Sequence, residues 1–220
     1  MKTGINKELD LLFTHYPSLK VCEESILAAY QMLCNCYANK GLIMVCGNGG
    51  SAADSEHIVG ELMKGFKTKR PLSHEQGLRI KNAFPDDAEF LIDNLQQAIP
   101  AISLVSQTSI STAFCNDVKA EMLFAQLVMG YGNSGDILIA LSTTGNSKNV
   151  VNACKVAKAF GIQTIALTGQ KVSKLSEICD VAIRVPAQEV FRVQELHLPV
   201  YHALCAMLEA NVFGKSSFKK

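Results

Sequence analysis

The chain has little imbalance of charge. Only 19% of its 220 residues are charged, and the net charge is +1. Such a balance gives no electrostatic reason for nucleic acid or an anionic membrane to be the main partner. Long apolar runs are also missing. The N-terminal MKTGINKELD has no apolar signal core, and no run is long enough to cross a bilayer. Zinc-knuckle spacing is absent among the eight cysteines. Cys34 and Cys36 form C-x-C, without the two-to-four-residue gap of common zinc knuckles. Most of the others sit in apolar runs, where cysteine acts as a small buried hydrophobe. These absences point to a reduced, cytoplasmic protein of enzyme size. No internal repeat or dividing linker is visible, so residues 1–220 are expected to form one domain. The lysines of the terminal SSFKK, Ser216 to Lys220, read as a short solvated tail.

What is present is a hydrophobic content of 48%, enough for a sizeable core. Apolar residues recur at helical spacing from Asn6 to Tyr37, with Pro17 and Ser18 dividing the stretch into two helices. Four apolar runs read as buried parallel strands: 42–46, 101–105, 137–141 and 164–167. A fifth covers 181–185. Helical stretches lie between and after them, at 52–64, 109–130 (broken near Asn116), 149–160 and 190–213. Strands of about five residues alternating with helices predict a doubly wound α/β sheet. Residues 67–100 are less regular, and a short helix is expected from Pro85–Asp86–Asp87 to about Ala98.

In an open parallel sheet, ligands bind beyond the carboxyl ends of the strands. The first strand delivers Gly47–Asn48–Gly49–Gly50–Ser51. The third delivers Ser142–Thr143–Thr144–Gly145–Asn146–Ser147. Glycine lets backbone N–H groups approach an anion, a helix start leaves N–H donors free, and hydroxyls add more donors. For one loop alone, Ser51 or Ser147 as an ordinary N-cap is the simpler reading. Two such loops on one sheet edge favour phosphate. Neither has the pattern of a nucleoside triphosphate or dinucleotide loop, which disfavours those ligands.

Histidine is scarce, with five in the chain. His57 and Glu61 are four apart on one helix and share a face. The last helix holds Gln194, Glu195, His197 and His202, with Pro199 between them. A His/Glu pair opposite a Gln/His pair offers nitrogen and oxygen donors that zinc accepts. The same residues suit metal-free acid–base work, or simple surface pairing. Spacing alone does not bring the two helices together.

GNGGSAADSEHIVGEL, GDILIALSTTGNSKNVV and RVQELHLPVYH occur in that order. Together they resemble the SIS (sugar isomerase) domain, and within it most closely the phosphoheptose isomerases, which act on sedoheptulose 7-phosphate. The resemblance runs from about residue 20 to the C-terminus, apart from an extra segment near 72–97. It implies a three-layer αβα sandwich around a five-stranded parallel sheet (41–213), two N-terminal helices (1–40), and a homotetramer with active sites between subunits. Its phosphate-binding residues map onto Ser51, Ser142, Thr143, Thr144 and Ser147, with Asn48, Gly49 and Gln194 also in the substrate set. Asn116–Asp117 matches an Asn-Asp that faces the sugar. The family's zinc ligands map onto His57, Glu61, Gln194 and His202, and its proton-transfer pair onto Glu61 and His202. The implied reaction is aldose–ketose isomerisation of a phosphorylated sugar.

Two positions depart from that pattern. Gly65 stands where the family commonly has arginine, and Phe191 where it has aspartate. Lys64 and Lys67 are the cations available to replace the arginine. A related phosphosugar would account for the departures. So would a non-catalytic SIS tetramer serving as an adaptor, like the paralogue that binds the replication initiator. That paralogue lacks the glutamate and the final histidine present here as Glu61 and His202, which favours the enzyme. A sugar-phosphate-sensing regulator would need a DNA-binding domain that the chain has too few residues to supply.

Overall fold

The computed structural model describes residues 2–214, so the terminal SSFKK lies outside the described residues. All five strands expected from the sequence form: β1 Ile43–Cys46, β2 Ala101–Ser103, β3 Ile137–Leu141, β4 Gln163–Thr168 and β5 Val181–Arg184. Every pairing is parallel, in the order β2-β1-β3-β4-β5. The central β1 and β3 are buried along their whole length. This is why they read as unbroken apolar runs: a strand covered on both faces has no polar side to alternate with. The edge strands β2 and β5 are only partly covered and carry the polar Ser103 and Arg184.

Side chains leave a strand alternately up and down, so one sheet feeds two cores. Ile43, Val45, Ile137, Ile139, Ile165 and Leu167 point to one side. There they meet α2 (Glu23–Ala38), α3 (Gly50–Met63) and the long α10 (Val190–Phe213), with α1 (Lys2–His15) packed outside α10. Met44, Cys46, Leu138, Ala140 and Ala166 point to the other side. They meet α7 (Leu123–Tyr131) and α8 (Lys148–Ala159). The result is a three-layer αβα arrangement.

Pro17 does divide the N-terminal helical stretch, through a 3-10 segment over Pro17–Cys22. The break near Asn116 also forms. Between α6 (Thr108–Phe114) and α7, the chain widens into a π turn over Cys115–Lys119 and then tightens into a 3-10 turn. The irregular 67–100 stretch holds more helix than its sequence suggested. α4 (His74–Ala83) precedes α5 (Ala88–Asn94), and α9 (Lys174–Ile178) is a further short helix. Both α4 and α9 begin with a capping box, Ser73 with Gln76 and Ser173 with Ser176. α10 runs unbroken through Pro199, which is buried within it.

Candidate active site

The strand order reverses between β1 and β3, which makes their carboxyl ends the switch point where a crevice opens. Both glycine loops leave the sheet there. The first turns at Gly49, whose φ of +57° and ψ of −123° are open to glycine but strained for any other residue. α3 starts at Gly50 with no side chain capping its first turn. Ser51 is therefore the second residue of the helix rather than its cap, and it is buried. The second loop turns at Gly145 (φ +67°), where a side chain would strike Ser173. Ser147 is the N-cap of α8 by position but makes no cap hydrogen bond. Its hydroxyl instead lies 3.0 Å from that of Ser142. Thr143 is half-buried and Thr144 exposed beside them. Both helix starts thus lack a serine cap and bring hydroxyls to one crevice, a setting that suits an anion, although the Ser51 and Ala52 amides already donate to the Asn48 and Gly49 carbonyls.

The loops are joined by a residue that motif reading missed. Asn48 and Asn149 exchange two amide hydrogen bonds, each 2.9 Å. Asn149 also accepts from the Val150 amide at 3.0 Å. Its place just after the hydroxyl loop was the available signal.

Farther along α3, a second cluster forms against α10. His57 Nε2 lies 3.2 Å from Glu61 Oε1 and 3.4 Å from His202 Nε2. The two imidazole rings meet edge to face, with centroids 4.9 Å apart. Phe66 covers His202 from another side, with its ring centroid 5.5 Å away. His202 also forms part of the wall of a groove of ≈ 310 Å³ between α1 and α10. Burial, and then the neighbouring His57, lower the pKa of His202, while Glu61 partly offsets them. The ring is therefore neutral near pH 7.

Two further residues that sequence reasoning passed over orient His57. Tyr201 donates its hydroxyl proton to Asp54 Oδ1 at 3.2 Å, and its oxygen lies 3.0 Å from His57 Nδ1. A hydroxyl has one proton, so toward the histidine Tyr201 accepts, which places a proton on Nδ1. Burial raises the Asp54 pKa despite the Tyr201 hydrogen bond and the nearby His57. Tyr201 is itself pushed up, first by burial and then by Asp54. The signals were Asp54, one turn before His57, and Tyr201, next to His202.

This tautomer has a consequence for metal binding. His57 Nε2 presents a lone pair to the Glu61 carboxylate, so two acceptors face each other at 3.2 Å. Glu61 Oε2 is buried without a hydrogen bond, and its nearest cation is the Lys64 ammonium at 3.6 Å. A proton or a cation between the acceptors resolves the contact. Among the described residues, no group of three or more His, Cys, Asp or Glu side chains is placed to hold a metal ion. The donor chemistry of His57, Glu61 and His202 nevertheless fits a divalent ion such as zinc. Gln194 is not joined to them. Its carboxamide packs against Gly50, at the phosphate-loop end of α3. Asn116 and Asp117 also stand apart, both exposed on the π turn and hydrogen-bonded to each other at 2.8 Å.

With the fold and the geometry in hand, comparison with known proteins is decisive. SIS domain models match residues 18–86 and 108–211. The phosphoheptose isomerase of Dechloromonas aromatica is 38% identical over 192 residues, covering 86% of this chain and 85% of that protein. The chain belongs to the SIS-domain phosphoheptose isomerase family. The structure of the Neisseria gonorrhoeae phosphoheptose isomerase superposes with a TM-score of 0.68 at 28% identity, covering 92% of this chain and 98% of that one. The Francisella tularensis phosphoheptose isomerase gives 0.69 at 26% identity, covering 91% and 97%.

Within that family the two departures have distinct surroundings. A side chain at Gly65 would run into the Thr68 carbonyl and meet the Gln96 carboxamide, whose oxygen accepts from the Gly65 amide at 2.8 Å. The Thr68 carbonyl and the Gln96 carboxamide thus crowd this position against any side chain. Of the two substitute cations, Lys67 is held by Glu8 of α1 at 2.7 Å, which leaves Lys64 as the one beside Glu61. Phe191 is exposed in the first turn of α10, with the Arg192 guanidinium 5.0 Å over its ring.

Proposed function

We propose that this chain is an aldose–ketose isomerase of phosphorylated sugars, acting on sedoheptulose 7-phosphate. One observation carries the reading: a single helix links two sets of functional groups. α3 begins in the phosphate-type loop, and His57, six residues after Ser51, meets Glu61 and His202. Six residues of helix rise about 9 Å, a span that an extended phosphosugar of several carbons covers. The crevice holds the phosphate at Ser51, Ser142, Thr143, Thr144 and Ser147, assisted by Asn48 and Gly49. Gln194 lies against Gly50, between that pocket and the chemistry. Asn116 and Asp117 belong to the wall that faces the sugar when the assembly is complete.

The proton moves within the sugar. Glu61 takes it from C1 of the ketose, leaving an enediolate, and returns it to C2. His202 gives a proton to the C2 oxygen and recovers one from the C1 hydroxyl, so both residues end as they began. A neutral imidazole suits this exchange, since it can donate and accept in turn. The two oxygens of Glu61 divide their tasks: Oε1 faces His57, and Oε2, buried and 3.6 Å from the Lys64 ammonium, acts as base once the sugar displaces that contact. His57, Glu61 and His202 are the residues that would hold zinc, and Gln194 would join them only by leaving its place against Gly50. When bound, the ion would polarise the sugar oxygens and stabilise the developing negative charge.

The same proposal takes residues 1–220 as one domain with an inserted segment at 72–97, assembled as a homotetramer in the cytoplasm with sites between subunits. No helix among the described residues is long and apolar enough to cross a membrane.

The test is turnover of sedoheptulose 7-phosphate by the wild type and by Glu61→Gln and His202→Ala. Each variant should lose about 10²–10⁴-fold in kcat, the usual worth of a positioned acid or base. A wild type that turns over no ketose phosphate in a broad panel and binds no metal would hand the chain to the non-catalytic adaptor reading.

A further inference from the structure

A fully buried ion pair sits beneath the Glu61 end of the site. The side chains of Arg70 and Glu209 are 0% and 1% exposed, with Arg70 Nε 2.8 Å from Glu209 Oε1. Taking both charges out of water is costly, and apolar residues of similar size often serve stability as well or better. The pair is therefore best understood by what it holds in place.

Each polar group of the pair is used. Arg70 Nη1 donates to the Leu62 carbonyl at 2.6 Å, and Nη2 to the Glu61 carbonyl at 3.1 Å. Glu209 Oε1 also accepts from the Phe66 amide at 2.8 Å. Its Oε2 accepts from the Lys67 and Thr68 amides at 2.8 and 3.1 Å. The Phe213 ring closes the far side, 4.8 Å from the guanidinium.

Three pieces of chain meet here, and each leads to the proposed chemistry. The last turn of α3 carries Glu61. The chain leaves that helix in an extended conformation at Lys64, so the final carbonyls look to Arg70 for donors, and its charge suits the negative end of the helix. The 66–68 turn presents Phe66 to the His202 ring. Glu209 itself follows His202 by seven residues, two turns along the same face of α10. One clamp thus holds Glu61, the cover over His202, and the helix that bears His202.

We propose that Arg70 and Glu209 are positioning residues that fix Glu61 relative to His202. The inference rests on the isomerase reading for its kinetic consequence. It predicts an effect at one end of the site only. Ser51 lies ten residues before Glu61, about 15 Å along the helix, and the clamp does not touch the phosphate loops. A pair that merely stabilised the fold would lower the melting temperature and leave the kinetics of folded enzyme unchanged.

The experiment compares full-length wild type with Arg70→Lys and the isosteric Glu209→Gln. It measures kcat and KM for sedoheptulose 7-phosphate, inhibition by inorganic phosphate, and zinc affinity by chelator competition. Circular dichroism establishes folding at the assay temperature. The expected result is a loss of at least tenfold in kcat and in zinc affinity, the scale on which partners behind a ligand act. KM and the phosphate inhibition constant should stay within about twofold. Folded variants with kcat and zinc affinity within twofold of wild type would overturn the proposal. Should neither single variant fold, Arg70→Met/Glu209→Leu removes both charges together, and it must fold and show the same selective loss. If none of the three folds, the pair is a folding element and the proposal fails. A wild type without isomerase activity sinks the functional reading alone, because the zinc comparison still decides the clamp.

Discussion

Substituting Gly49 by alanine separates backbone conformation from crowding. A Cβ built at Gly49 meets nothing within 4 Å, so there is no steric objection to alanine. Its backbone is the obstacle, with φ +57° and ψ −123°. Forcing a side-chain-bearing residue into such a region costs about 1–3 kcal/mol. The loop escapes that cost by rotating away from the geometry that turns its N–H groups toward the crevice. Paid there, the cost becomes a roughly five- to 150-fold rise in KM for the phosphosugar and in the inhibition constant of inorganic phosphate. Gly130 is the control, because it also has nothing within 4 Å of its built Cβ but lies in α7 with ordinary helical backbone. Gly130→Ala should leave KM unchanged and stabilise the fold by about 0.5–1 kcal/mol, as alanine does in a helix. The assays are steady-state kinetics, phosphate inhibition and urea unfolding on both variants. A Gly49→Ala enzyme with wild-type KM and wild-type stability would refute the claim that the loop's anion geometry depends on this φ.

Two other predictions follow from single residues. His197 is fully buried, and burial lowers its pKa to about 4 against a weaker opposing pull from the Thr168 backbone. The unfolded chain takes up this proton near pH 6.5, so the contribution of the neutral ring is complete above that pH and drains away down to about 4. The loss amounts to about 3 kcal/mol. Urea unfolding of wild type and His197→Met between pH 7.5 and 4 should show a difference that changes by this amount, and parallel curves would refute it. Asn149→Ala breaks the reciprocal amide pair with Asn48. An exposed pair of this kind is worth about 1 kcal/mol, so KM should rise about fivefold with kcat preserved, and an unchanged KM would mean that the loops hold their spacing alone.

The sheet was legible because its central strands are buried on both faces and must be apolar throughout. Helix α4 was not, because nothing in it is buried and its apolar residues carry no core-driven period. Its Ser73–Gln76 capping box was nevertheless present in the sequence. The two glycine and hydroxyl loops at the sheet edge were legible through local chemistry, since glycines, hydroxyls and helix starts lie within a few residues of each other. The meeting of His57 with His202 depends on α3 packing against α10, across 145 positions of chain. Periodicity places each residue on a helix face but not the two faces together. Arg70 and Glu209 were hidden for the same reason, being 139 positions apart, and a lone arginine before Pro71 gives no sign that it will be buried.

The surroundings of Gly65 connect it to the buried pair. Residues 96–99 return from the inserted segment alongside the end of α3: Gly65 donates to Gln96, Gln97 to the Arg70 carbonyl, and Ile99 to the Leu62 carbonyl. A side chain at 65 would strike the Thr68 carbonyl first and then the Gln96 carboxamide of this return path. Glycine at 65 thus suits both the 66–68 turn and the return path through Gln96. The same return path touches the clamp, since Gln97 binds the backbone of Arg70 and Ile99 that of Leu62, whose carbonyl Arg70 also holds. The Leu62 carbonyl thus accepts both from the return path and from the buried pair that holds the Glu61 carbonyl. A Glu61 that moves protons needs its backbone fixed in this way, whereas an adaptor with no proton to move would have no use for it.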